Sequence, residues 1–233
     1  MNGGRLRRRY GLLLIVLLTS YLLSAFLHLP WIAGLKVGLF SVAGLLALRN
    51  SPMRSVSVRV VVTTALVVSV VMIVVSESLA SDAVRAAAAI WTALLLLLTV
   101  TLLIRQILLM PTVTIQSIYG AVSAYLIIGL LFAAVYSASY YVNGKRFFVA
   151  GEPGTSSTFQ YFSFTTLTTL GYGDFTAEFA GGRAVAMLEA MSGQIFLATL
   201  VARLVAAFRP ASQPADQDGP SPDSTAQDGT AQS

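Results

Sequence analysis

Long uncharged, apolar stretches alternate with short clusters of charge along most of the chain. Six stretches, 10–27, 31–48, 60–76, 86–104, 118–139 and 184–208, are apolar over the length a helix needs to cross the hydrocarbon layer of a bilayer, roughly 20 residues for about 30 Å. A seventh, 159–170, mixes aromatic residues with Ser and Thr and is too short to span. The pattern predicts an all-α membrane protein with six transmembrane helices and one additional half-length segment between the fifth and the sixth.

Composition sharpens that picture. Hydrophobic residues make up 56% of the chain and charged residues 11%, whereas soluble domains carry about 45–50% apolar and about 25% charged residues. A soluble enzyme is therefore an unsuitable description, and no nucleophile–base pair, phosphate-cradling loop or basic-aromatic nucleic-acid surface stands out. The absence of Cys rules out disulfides and thiolate metal sites.

Fifteen Lys and Arg against ten Asp and Glu give a formal charge of +5, and their placement orients the chain. Short loops rich in Lys and Arg stay cytoplasmic. Arg5, Arg7, Arg8 and Arg9 precede the first span, Arg49, Arg54 and Arg59 lie between the second and third, Arg105 ends the fourth, and Arg203 and Arg209 end the sixth. With six spans all ten fall on one side, so both termini are expected in the cytoplasm and the protein in the cell membrane. The first stretch also resembles a signal peptide, but its apolar run is long and no small-x-small cleavage site follows. The twin Arg8 and Arg9 serve equally well as an anchor to anionic lipid.

The end of the chain, 210–233, contains four Pro and four Asp among Ser, Gln, Ala and Thr, with no aromatic or β-branched aliphatic residue. Such a segment cannot bury enough apolar surface to order itself. The expected organisation is a four-helix transmembrane bundle over 1–111, a second transmembrane unit over 112–209 and a disordered cytoplasmic tail over 210–233, with no cytoplasmic ligand-binding domain.

The chemistry lies between the fifth and sixth spans, where the chain reads Tyr161-Phe-Ser-Phe-Thr-Thr-Leu-Thr-Thr-Leu-Gly-Tyr-Gly-Asp174. Non-helical backbone at membrane depth is tolerated only where protein buries it or where it lines a water-filled path. A re-entrant loop follows. If Thr169, Leu170, Gly171, Tyr172 and Gly173 run extended and several copies face a common axis, rings of backbone carbonyls can replace the hydration shell of a cation. Gly171 and Gly173 adopt positive φ at little steric cost, and the Thr169 hydroxyl adds a further ring of oxygens. A helix near 158–168 would aim its partly negative C-terminus at the same point.

At these residues the sequence resembles the tetrameric potassium channels. Their signature Thr-x-x-Thr-x-Gly-Tyr-Gly is matched by Thr166, Thr169, Gly171, Tyr172 and Gly173, with the usual Asp at Asp174. The resemblance covers roughly 112–208. It implies a potassium-selective channel that conducts passively, a homotetramer with one loop per subunit, K+ held at Thr169, Leu170, Gly171 and Tyr172, no other cofactor, and lipid as the surrounding partner. It also implies a role at the outer mouth or in filter support for Thr165, Thr166, Asp174 and Glu178. By the same likeness Gly193 is the inner-helix hinge, and Gln194, Leu197, Ala198, Val201, Ala202 and Val205 line the pore. Close helix packing is the competing role for Gly193.

Two departures from the family pattern stand out. Leu170 replaces the commoner Val and is expected to pack outward behind the filter. Thr165 stands where some members carry a Glu that braces the Asp after the filter. A weakly selective cation channel of the same fold and a non-conducting membrane sensor or auxiliary subunit are the alternatives to a potassium channel.

The remaining polar residues have plainer roles. Span 86–104 contains no charge, and steep voltage gating needs several charges in the membrane field, so the four leading helices are expected to form a peripheral bundle. Glu189 is an ionisable residue inside the sixth span, suited either to tuning cation occupancy or to bonding the pore helix. Asp174 and Glu178 could concentrate cations at the outer mouth, although a solvated loop charge explains Glu178 equally. His28, Trp31, Trp91, Tyr140 and Tyr141 fall at expected interfaces.

Overall fold

A computed structural model describes residues 11–12, 14–19, 67–68, 71, 75, 81–109, 113–144 and 146–207. The expected spans at 31–48 and most of those at 10–27 and 60–76, together with His28, Trp31 and the tail from 210, lie outside the described residues. Among the described residues four helices carry the fold: α1 (Asp82–Leu108), α2 (Ile115–Val142), α3 (Ser156–Leu167) and α4 (Ala180–Ala207). Three of them, α1, α2 and α4, are long and apolar enough to cross a membrane. With 12 residues and a rise of about 1.5 Å each, α3 reaches only about half as far.

Local sequence explains where these helices begin. Thr114 and Ser117 form a reciprocal capping box at the start of α2, and Thr155 and Thr158 form another at the start of α3. Each pair satisfies two backbone groups that the first turn leaves open. Asp82 sits in the first turn of α1 and Arg105 in its last, where each charge complements the helix dipole. Within α1, the hydroxyls of Thr92, Thr99 and Thr101 donate to the carbonyls of Ala88, Leu95 and Leu97, four residues back. Polar side chains on an apolar helix thereby satisfy themselves internally. At the far end of α2, Asn143 Nδ2 donates to the Ser139 carbonyl at 2.7 Å.

The most extensive helix pairing is α1 with α2; α3 packs against both α2 and α4, and α1 does not touch α4. Two clusters form the core. One joins Val100, Leu103 and Ile107 of α1 to Ala124, Ile127, Ile128 and Leu130 of α2 and Leu167 at the foot of α3. Leu17, from the helical residues 14–19, is 2% exposed and belongs to the same cluster. The first apolar stretch thus reaches the same core as α1 and α2.

The second cluster is aromatic, with Tyr136, Phe147, Phe148, Phe159 and Phe162 at its centre and Phe175 and Phe179 against it. It contains a single antiparallel bridge between Phe148 and Ala177. Val149 N–H donates to the Thr176 carbonyl at 3.0 Å and Glu178 N–H to the Phe147 carbonyl at 2.8 Å. The loop entering α3 is thereby tied to the loop leaving the Gly-rich segment, although no regular strand is present among the described residues. The seventh apolar stretch, expected at 159–170, resolves into most of α3 (Ser156–Leu167) and the first residues of that segment.

Candidate functional site

The segment after α3 turns sharply and is held by its own helix. Thr168 caps α3, its N–H donating to the Phe164 carbonyl at 3.1 Å, and Thr169 N–H donates to the Thr166 carbonyl at 2.9 Å. Leu170 N–H and Gly171 N–H then both reach the Thr165 carbonyl, at 2.9 and 3.1 Å. Thr165 therefore supports the segment through its backbone. Its hydroxyl turns inward to the carbonyls of Tyr161 and Phe162, both at 3.0 Å.

Backbone handedness alternates along the segment. Thr169, Gly171 and Gly173 have φ of 57°, 49° and 80°, whereas Leu170 and Tyr172 do not have positive φ. Alternating left- and right-handed residues turns successive carbonyls to the same side, where an ordinary strand would send them to opposite sides. The two glycines adopt this conformation freely. Thr169 is β-branched, and positive φ there costs on the order of 1–3 kcal/mol, a strain typical of functional positions. The N–H groups of Leu170 and Gly171 are bonded back to α3, so these two donors are not available to a ligand. Carbonyl oxygens of a segment in this conformation would suit a hard, weakly hydrated cation.

Two polar residues border the ends. At the inner end, Gln194 Nε2 of α4 donates to Thr169 Oγ1 at 3.3 Å, and that hydroxyl donates to the Thr168 carbonyl at 2.7 Å. At the outer end, Tyr161 Oη donates to Asp174 Oδ2 at 2.7 Å, while Asp174 Oδ1 accepts from Phe175 N–H at 3.1 Å. The brace on Asp174 thus comes from Tyr161, one turn before Thr165 on α3. This hydrogen bond, then desolvation, push the Tyr161 phenol up to about 12. Glu178 pairs with Arg146 at 3.1 Å, so part of its charge is already offset.

Further contacts set the depth of α3. Tyr125 Oη of α2 donates to the Leu167 carbonyl at 3.2 Å, and the Tyr125 ring packs on Phe196 of α4, centroids 5.7 Å apart. A Cβ on Gly193 would lie 2.3 Å from the same Leu167 carbonyl oxygen, and one on Gly129 would lie 2.6 Å from the Phe164 ring. α4 runs unbroken through Gly193, so its observed contribution is close approach to α3. Gln194, Leu197, Ala198, Val201, Ala202 and Val205 are all exposed in the single subunit. Leu170 is 55% exposed there as well.

Several contributors have no signal in the motif. Phe147, Phe148 and Ala177 bind the flanking loops together, Tyr161 holds Asp174, and Tyr125 and Gly129 seat the short helix. An aromatic-rich run before the helix and another after Asp174 were the only traces of the outer cluster in the chain.

Residues 121–209 match a family model described as an ion channel. The match runs from within α2 past the end of α4 and takes in the whole site, while α1 lies outside it. It supports an ion-channel unit over α2, α3 and α4 in a membrane-embedded protein. No curated protein and no solved structure matches the chain.

Proposed function

We propose that this protein is a potassium-selective channel, in which four copies of the segment 169–173 face a common axis and their carbonyl oxygens replace the hydration shell of K+. The observation that carries this reading is the pair of hydrogen bonds that Leu170 and Gly171 N–H donate to the Thr165 carbonyl together with positive φ at Thr169, Gly171 and Gly173. That arrangement anchors the donors and leaves the oxygens for an ion. One segment cannot surround a cation, and a closed fourfold ring is the simple symmetric solution. Ions would pass down their gradient without chemical turnover, with Gln194 and the exposed face of α4 beneath the filter, α2 outside it, and residues 1–111 as a peripheral bundle with both termini cytoplasmic.

The test is the reversal potential of the purified protein in planar bilayers with K+ on one side and Na+ on the other. A value near the K+ equilibrium potential supports the reading. A value near zero with robust current makes the protein a weakly selective cation channel and directs attention to Leu170. Native mass spectrometry is expected to give four subunits, and a conducting dimer would refute the fourfold ring.

A further inference from the structure

Behind the candidate filter, three helices meet at one carboxyl group. Glu189, in the first half of α4, is fully buried. Tyr136 Oη of α2 lies 2.5 Å from its Oε2, Ser163 Oγ of α3 is hydrogen-bonded to its Oε1, and the same Ser163 Oγ lies 2.6 Å from the Gly129 carbonyl oxygen. Tyr136 and Ser163 are themselves 0% exposed.

The protons in this cluster can be counted. Each close oxygen–oxygen contact needs a proton between its two atoms, so three contacts need three. Tyr136 and Ser163 carry one each, and a peptide carbonyl carries none. A single hydroxyl proton cannot lie along two contacts this short. The third proton belongs to the carboxyl group.

The electrostatic surroundings agree. From α2 the titratable groups facing Glu189 are Tyr136 and Tyr125. α3 contributes Ser163, which does not titrate, and α1 does not touch α4. The nearest charged residues on α4 itself, Arg183 and Arg203, lie more than a helical turn away along the chain. Among the described residues no cation pairs with Glu189, and burying an unpaired carboxylate is costly.

We propose that Glu189 is a neutral carboxylic acid that donates its proton to Ser163 Oγ while Ser163 donates to Gly129 and Tyr136 donates to Glu189, and that this proton-completed tie is what positions α3 behind the filter. Glu189 is thus a positioning residue, and the inference rests on the channel reading given above. Ionising Glu189 would force Ser163 to turn its proton to the carboxylate, and the Ser163–Gly129 contact would lose its bond. The tie is complete only while Glu189 holds its proton.

The test uses the full chain in proteoliposomes, with K+ flux and K+/Na+ reversal potential read from neutral to alkaline pH. Wild type is expected to lose flux and selectivity reversibly on the alkaline side. In Glu189→Gln the amide can donate to Ser163 and accept from Tyr136, so neutral-pH flux is retained and the alkaline loss disappears. The Tyr161 phenol, pushed up by its bond to Asp174, is unchanged in Glu189→Gln, so any loss it caused would persist in that variant. Glu189→Ala removes the tie and is expected to cut selective flux roughly tenfold, the effect of one lost buried bond.

Infrared spectroscopy provides the independent readout. Wild type at neutral pH is expected to show a protonated-carboxyl C=O band that vanishes in Glu189→Gln. No such band, or Glu189→Gln failing as fully as Glu189→Ala, would overturn the proposal. If wild-type vesicles carried no flux at all, the channel reading would fall by itself. The infrared band and the relative thermal stability of the two variants would still decide the tie.

Discussion

The outer and inner halves of α3 are held in place by different physics. On the outer side Phe159 and Phe162 sit among Tyr136, Phe147 and Phe148, with ring centroids about 5 to 6 Å apart, for example 4.9 Å for Tyr136–Phe162 and 5.5 Å for Phe148–Phe159. On the inner side directional bonds dominate: Ser163 to Gly129, Tyr125 to the Leu167 carbonyl, and two N–H groups on Thr165. Aromatic packing is strong but tolerant of angle, whereas hydrogen bonds weaken steeply when bent. The outer half thus supplies anchoring and the inner half supplies aim, which the proposed ring of carbonyls would require.

Substitutions can separate those two contributions. The largest functional effect is expected from Gly171→Ala, because φ of 49° in an L residue costs about 1–2 kcal/mol, a cost that the proposed fourfold ring would multiply. Selective K+ flux is expected to disappear while the native mass stays unchanged; loss of assembly instead would mean that this segment also holds the subunits together. Phe147→Ala should act in the opposite way. Phe147 is 1% exposed, and truncating a buried Phe costs about 3–5 kcal/mol, so thermal unfolding should shift strongly, with selectivity preserved in the molecules that remain folded.

Gly193→Ala tests the inner half through crowding. The added methyl would stand 2.3 Å from the Leu167 carbonyl oxygen, and overpacking of this kind costs about 1–3 kcal/mol. Both stability and flux are expected to fall, since α3 is pushed away from α4. An increase in open probability without loss of stability would instead support a hinge. The smallest change is expected from Tyr161→Phe, which keeps the ring against Phe175 but removes the bond to Asp174. Assembly and thermal stability should be unaffected, and the K+/Na+ permeability ratio should decline modestly. Unchanged selectivity would show that the aromatic contact alone holds the outer end.

Much of this arrangement was legible in the chain. The long apolar runs at 86–104, 118–139 and 184–208 correspond to α1, α2 and α4, because a helix in an apolar layer needs little beyond length and lack of charge. α1 and α2 extend beyond their runs at both ends, and α4 extends beyond its run at the start. Thr114 and Ser117 carry the start of α2 a few residues outward by capping open N–H groups, and at the start of α1 the Asp82 charge complements the helix dipole without a side-chain cap from Ser81. The short helix was legible from its truncated apolar run, and its start at Ser156 follows from Thr155 and Thr158.

The brace on Asp174 illustrates what was not legible. Thr165 stands at the position suggested by resemblance, yet its hydroxyl closes on its own helix and Tyr161 reaches the carboxylate. The choice depends on reach, since a Thr hydroxyl on a helix finds a carbonyl four residues back more readily than a group across a gap. Glu189 was recognisable as an unusual residue in an apolar helix, and bonding to α3 was one of its two foreseen roles. Its partners Tyr136 and Ser163 lie 53 and 26 residues away, beyond any local pattern.

Sequence by itself determined the apolar lengths, the helix caps and the glycines at positions of positive φ, because each depends on a residue and its nearest neighbours along the chain. Tertiary structure alone decided which aromatic side chains close the outer cluster, which hydroxyl holds Asp174, how closely Gly193 approaches Leu167, and how many protons the Glu189 cluster must hold. Those depend on differences of a few tenths of an ångström in the separation of groups far apart in sequence, and only packing sets such separations.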